Sequence, residues 1–228
     1  MPAALLVDLD DTLIDDSGAM ARAVLELRRQ HGFAQDVDDE GLVWRWKSIL
    51  ASLWCQPTTD ELLPQAQRRW RMRRTFAIDF PDDEADALAI EFHLLYERNW
   101  EPLPGVDAFL DSTAHLPRAI VSNGHRPLAL QKMERCGLTG RFMAVITPED
   151  CGVRKPNPRI FLRAIEVLGA RADEGFMVGD HFAADIEPAL ALGMGVFHVA
   201  AREKDRTLRD AMKAVLAHGG RYGSLGLR

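Results

Sequence analysis

Apolar and polar positions follow two regimes along this chain, and the change between them divides it. Ala3-Ala4-Leu5-Leu6-Val7 is a short unbroken apolar run, the pattern of a buried strand. From about residue 17 to 100 the period becomes helical. Roughly Gly18 to Gln30 reads as a helix stopped by Gly32. Leu42, Val43, Trp46, Ile49, Leu50 and Leu53 recur at i, i+3/i+4, i+7, and Leu62, Leu63, Ala66 and Trp70 suggest a further helix. Pro81-Asp82-Asp83-Glu84 opens another, with acids in its first turn and Leu88, Phe92 and Leu95 on one face. The stretch predicts a bundle of about four helices.

Past Pro102-Leu103-Pro104-Gly105, a hinge-like break, the short runs return. Ala119 to Val121, Met143 to Ile146, Phe176 to Val178 and Val196 to Val199 alternate with helical stretches that Gly137, Gly169 and Gly193 should stop. Alternating strands and helices predict an α/β fold, a doubly wound parallel sheet. Residues 1–16 and 101–228 would form this core, with 17–100 inserted as a separate all-helical domain. Residues 203 to 217 read as a last amphipathic helix and 219–228 as a loose tail.

Composition narrows the class. A chain of 228 residues has ample length for a sizeable core, and its net charge of −6 argues against a nucleic acid polymer as partner. Cys55, Cys136 and Cys151 are an odd set without metal spacing, which suits a reducing cytoplasm. The N-terminus enters a strand at once, leaving no room for a signal peptide. No apolar run reaches membrane-spanning length, so no membrane is expected.

Candidate chemistry gathers where the predicted strands end. Asp8-Leu9-Asp10-Asp11-Thr12 follows the first run directly, and open α/β sheets bind ligands beyond the carboxyl ends of their strands. Two acids one residue apart repel unless a cation joins them, and Mg²⁺ takes carboxylate and phosphate oxygens. The second run ends on Ser122-Asn123-Gly124, Lys155 precedes a helix start marked by Pro156 and Pro158, and a later strand ends on Gly179-Asp180, with Asp185 five residues on. Read singly, Ser122 is a helix cap, Lys155 a surface lysine and Asp185 an N-terminal helix acid. Their joint occurrence in this order points to one site.

With these four motifs the chain resembles the haloacid dehalogenase-like (HAD) hydrolase superfamily, over about residues 3 to 200. The resemblance implies a Rossmann-like core with a helical cap of the first class. It implies Mg²⁺ as cofactor, Asp8 as nucleophile forming an aspartyl-phosphate, and Asp10 as general acid and then base. Ser122, Asn123 and Lys155 would bind the phosphoryl group. Asp8, the Asp10 carbonyl and Asp180 would hold the metal, with Thr12 and Asp185 supporting them. Strand alternation turns the Asp11 side chain away, leaving its backbone N–H to face the phosphate.

His125 and His181 follow two of the motifs. They either touch substrate or are incidental, since family catalysis needs no histidine. The inserted domain carries all five tryptophans, Trp44, Trp46, Trp54, Trp70 and Trp100, and the cluster Arg68, Arg69, Arg71, Arg73 and Arg74. This is either a cationic, aromatic pocket for an anionic leaving group or a Trp-packed core with a solvated arginine face. The function implied is a phosphatase of a small phosphorylated metabolite, in a monomer or homodimer. A phosphomutase, a 2-haloacid dehalogenase and a non-catalytic binding protein stand as alternatives, and Asp10 argues against dehalogenation, which needs no leaving-group acid.

Overall fold

The first apolar run becomes the central strand β1 (Ala4–Val7), all four residues fully buried. The structure, a computed structural model, describes residues 1–54, 65–200 and 206–218. Cys55, the expected helix start at Leu62 and Leu63, residues 203–205 and the tail 219–228 lie outside the described residues, as do the side chains of Leu53 and Trp54. Contacts divide the chain into two compact units, Met1–Asp15 with Glu101–Arg228, and Asp16–Trp100.

In the first unit the strands are β1, β2 (Arg118–Val121), β3 (Ala144–Ile146), β4 (Gly175–Gly179) and β5 (Gly195–His198). They form one parallel sheet in the order β3-β2-β1-β4-β5. Val7 lies beside Ile120 on one side and Val178 on the other. The chain therefore builds outward from β1 to β3, then returns to the far side of β1 for β4. Connections leave β1 and β4 in opposite directions, which opens a crevice at their carboxyl ends.

Helices α1 (Asp16–His31), α2 (Asp39–Trp54), α3 (Gln65–Phe76) and α4 (Asp82–Arg98) make up the second unit. The first unit carries α5 (Val106–Ser112), α6 (Arg126–Arg135), α7 (Pro148–Cys151), α8 (Pro158–Val167), α9 (Glu187–Ala191) and α10 (Leu208–Ala217). Ile160, Phe161, Ala164 and Ile165 of α8 pack on Leu6, Ala119, Val121 and Met177 of the sheet. Burying each larger side chain contributes about 1.5–3 kcal/mol at most, and this layer holds the strand ends in register. The last helix begins at Leu208, later than the apolar pattern predicts. Thr207 and Asp210 form a capping box there that fixes the first turn.

Within the helical unit, Trp46 is fully buried, its ring 4.2 Å from that of Phe92. Gly32 ends α1 in the left-handed conformation, φ 68°, the position its place after the apolar stripe predicts. Among the described residues no helix is long and apolar enough to cross a membrane.

Candidate active site

Backbone geometry after β1 sets the site. Asp8 N–H donates to the Val178 carbonyl at 2.9 Å, so the ladder runs to the first acid. The chain then folds sharply: Leu13 N–H returns to the Leu9 carbonyl at 2.9 Å, and Asp11 adopts φ 56°. Asp11 N–H donates to the Ile14 carbonyl at 2.8 Å. That group is spent in closing the loop, which corrects the expectation that it faces a phosphate.

The Asp8 carboxylate is buried and gripped at both oxygens. Thr12 Oγ1 donates to Oδ2 at 3.1 Å and reaches Asp180 Oδ1 at 3.4 Å. Lys155 Nζ donates to Asp8 Oδ1 at 2.5 Å and to Asp185 Oδ1 at 2.6 Å. Asp185 reaches this point because residues 182–186 form a single π-turn directly after β4. Gly179 makes room for it: a Cβ there would lie 2.5 Å from Asp185 Oδ2. His181 N–H donates to that oxygen at 3.1 Å. Asp8, Asp180 and Asp185 thus each bring one carboxylate oxygen within 4.8 Å of the others.

From β2, Ser122 Oγ accepts the Gly124 N–H at 2.9 Å. A Cβ on Gly124 would sit 3.2 Å from that oxygen and 3.7 Å from Asp10 Oδ2, so glycine keeps the gap between them open. Asn123 Oδ1 accepts from Lys155 N–H at 2.7 Å, and its Nδ2 donates to the Lys155 carbonyl at 3.0 Å. Both ends of its amide hold the Lys155 backbone, so the side chain acts by placing that lysine.

Asp10 faces a partner that the motifs did not disclose. Lys132, from α6, is buried and donates from Nζ to Asp10 Oδ1 at 2.6 Å. The signal lay in the helix: Lys132 interrupts the apolar stripe of Ala129 and Met133, a poor place for a solvated lysine. His198 was also missed, and its Nε2 hydrogen-bonds the Asp180 carbonyl at 2.6 Å. His181 Nδ1 accepts from Ala184 N–H at 3.2 Å, capping the π-turn, and His125 Nε2 lies 3.6 Å from Glu149 Oε1.

Charge in the cluster is unbalanced. Burial pushes the Asp8 carboxyl well up, against the pull of Lys155, and the charges of Asp185 and Asp180 push the same way. Burial and Asp185 raise Asp180 to about 6. Against burial, which opposes its charge, Asp8 and Asp185 hold Lys155 above the ordinary lysine range. Three acids around one lysine form a hard-oxygen donor set with surplus negative charge, which fits a Mg²⁺ ion.

The arginine cluster of the helical unit separates into different environments. Arg69 pairs with Asp82 and Asp86, both at 2.5 Å, and Arg73 with Asp82 at 2.6 Å. Arg74 sits 5.8 Å from the exposed Trp70 ring. Arg71 is buried, its guanidinium 3.5 Å above the Trp46 ring and 5.3 Å from that of Phe92. Burial pulls its pKa down to about 9. Trp46 and Trp100 are buried while Trp44 is exposed, so aromatic packing accounts for part of the set only.

Known proteins share this chain's sequence pattern and fold. The chain is 32% identical over 231 residues to a phosphoserine phosphatase of Thermus thermophilus, covering 90% of this chain and 89% of that protein. A magnesium-bound HAD-hydrolase from Bacillus subtilis shares the fold with a TM-score of 0.70 at 20% identity, over 87% of this chain and 88% of that one. An L-2-haloacid dehalogenase from Xanthobacter autotrophicus does so with a TM-score of 0.65 at 21% identity, over 94% and 88%. The model of the haloacid dehalogenase-like hydrolases matches residues 2–193, and the chain belongs to that family.

Proposed function

We propose that this hydrolase is a Mg²⁺-dependent phosphatase that cleaves a small phosphate monoester through an aspartyl-phosphate on Asp8. The observation that carries the reading is the pair of acids on one loop with separate cations: Asp8 on Lys155, Asp10 on Lys132. Two acids held apart in this way suit two roles. The likeness to a phosphoserine phosphatase across most of both chains supports the same chemistry.

In the first step an Asp8 oxygen bonds to phosphorus as the bond to the leaving oxygen breaks, and Asp10 gives that oxygen a proton. In the second, Asp10 takes a proton from water, the water oxygen bonds to phosphorus, and Asp8 is released with free phosphate. Ser122 Oγ and Lys155 Nζ bind the phosphoryl oxygens, and Thr12 keeps Asp8 oriented. Asn123 fixes the Lys155 backbone. Asp8, Asp180 and the Asp10 carbonyl would hold Mg²⁺, with Asp185 supporting it. The ion supplies charge neutralisation and orientation of the phosphate.

Asp10 favours phosphate over halogen chemistry, since a halide leaves without a proton. The helical unit selects the substrate, and we place the domain division at residues 15–16, one residue before the expected boundary, and at 100–101. Turnover of p-nitrophenyl phosphate is expected to require Mg²⁺ and to vanish in Asp8→Asn. Metal-independent turnover, or an active Asp8→Asn, overturns the reading. Release of a phosphorylated product in place of free phosphate identifies a mutase instead.

A further inference from the structure

Helix α4 carries a stripe that the packing of the helical unit leaves uncovered. Its residues Ala85, Leu88, Ala89, Phe92 and Leu95 are buried. On another face Ala87, Ile90 and Leu94 are exposed, Ile90 at 64% and Leu94 at 56%. Spacings of three and four residues line these three up, and they are apolar where a solvated helix face is normally polar.

Charged groups on the flanks of this stripe already have partners. Glu91 meets His31 at 2.8 Å, Asp86 meets Arg69 at 2.5 Å, and His93 meets Glu97 at 3.0 Å. Two charges in line with the stripe are left over. Asp83 lies one turn before Ala87 and Arg98 one turn after Leu94, both exposed and neither in an ion pair among the described residues.

This order of side chains complements its own reverse. Asp83 and Arg98 stand equally far from the point between Ile90 and Glu91, and so do Ala87 and Leu94. A second α4 laid antiparallel about a two-fold axis at that point sets Asp83 against the partner's Arg98 at both ends. It also seats Leu94 over the partner's Ala87, a large side chain on a small one, with the two Ile90 side chains near the axis. A parallel pairing would instead set acid on acid and base on base.

We propose that this stripe is the contact face of a homodimer, formed by antiparallel pairing of α4 with α4 of a second copy. One patch serves both subunits, as closed two-fold pairing requires. A single helix pair buries less than the ~1,200 Å² of a firm interface, so association is weak, with a Kd on the order of 10–100 μM. The inference concerns the helical unit alone and does not rest on the phosphatase reading.

Sedimentation equilibrium of the full-length protein, from well below that Kd to well above it, tests the pairing. Wild type is expected to pass from monomer to dimer across the range. Leu94→Glu, a change at an exposed site, should abolish the dimer and leave the Tm close to that of the wild type. Asp83→Arg and Arg98→Asp should each weaken association roughly 10-fold, since like charges then meet at both ends. Mixed in equal amounts, these two variants regain opposite charges at both ends, and their heterodimer should form about as tightly as the wild-type dimer. A wild type that stays monomeric throughout overturns the proposal, as does a dimer indifferent to Leu94→Glu. Charge variants that associate no better mixed than alone overturn it too, and they decide the matter alone if Leu94→Glu fails to fold.

Discussion

Lys155 and Arg71 are both buried cations, and they sit in opposite electrostatic settings. Lys155 has two carboxylates, Asp8 at 2.5 Å and Asp185 at 2.6 Å, with Asp180 close by. Arg71 has an indole ring at 3.5 Å and no paired acid among the described residues. An uncompensated buried charge costs several kcal/mol, whereas a desolvated cation–π contact returns about 2 kcal/mol. Negative charge is thus in surplus around Lys155 and positive charge around Arg71.

The comparison breaks most visibly in turnover. Asp8→Asn is expected to lower Mg²⁺-dependent phosphatase activity by at least about 10³-fold while the fold persists, measured by steady-state kinetics beside circular dichroism. Next comes the second lysine. Lys132→Met frees Asp10 Oδ1, so turnover of an alkyl phosphate should fall roughly 10²-fold and that of p-nitrophenyl phosphate much less, its leaving oxygen needing little protonation. Equal losses on both would assign Lys132 to site shape alone.

Stability gives the sharpest contrast. Lys155→Met strands Asp8 and Asp185 and should cost about 3–5 kcal/mol in urea unfolding, whereas Arg71→Met removes an unpaired cation and should stabilise by about 1 kcal/mol or more. Shifts of the same sign would erase the distinction. The smallest effect is in pH. The folded chain keeps the Asp180 proton up to about pH 6, and the unfolded chain releases it near 3.9. The folded state then binds more protons, so metal-free stability should fall as pH rises from roughly 4 to 6. Asp8, also raised, acts in the same direction. Mg²⁺ should restore stability above pH 6 and matter little below 4, as thermal melts with and without chelator would show.

Much of the α/β unit was legible because its signals are local. A short apolar run that ends on Asp8 or Ser122 marks a buried strand and its exit, and the parallel sheet places such exits side by side. Lys132 was not legible in that way, since its partner lies 122 residues away and its helix joins the site only through the fold. Asn123 was read as a phosphate contact because its place beside Ser122 cannot tell a side chain facing outward from one tied to the Lys155 backbone. Asp11 was misjudged because strand alternation ends at Asp8, and φ 56° turns its N–H to Ile14. In the helical unit, spacing put five arginines on several faces, and only packing separated Arg71 from Arg69 and Arg73.

The phosphorylated nucleophile itself gives the most direct test. Wild-type protein is mixed with excess phosphate ester and Mg²⁺, quenched in acid within the first turnover, reduced with borohydride and mapped by mass spectrometry. Reduction converts an acyl phosphate to homoserine, and the account predicts that conversion at Asp8 alone, absent without substrate or metal. An unmodified Asp8 during turnover, or conversion at Asp10 or Asp180 in its place, would contradict it.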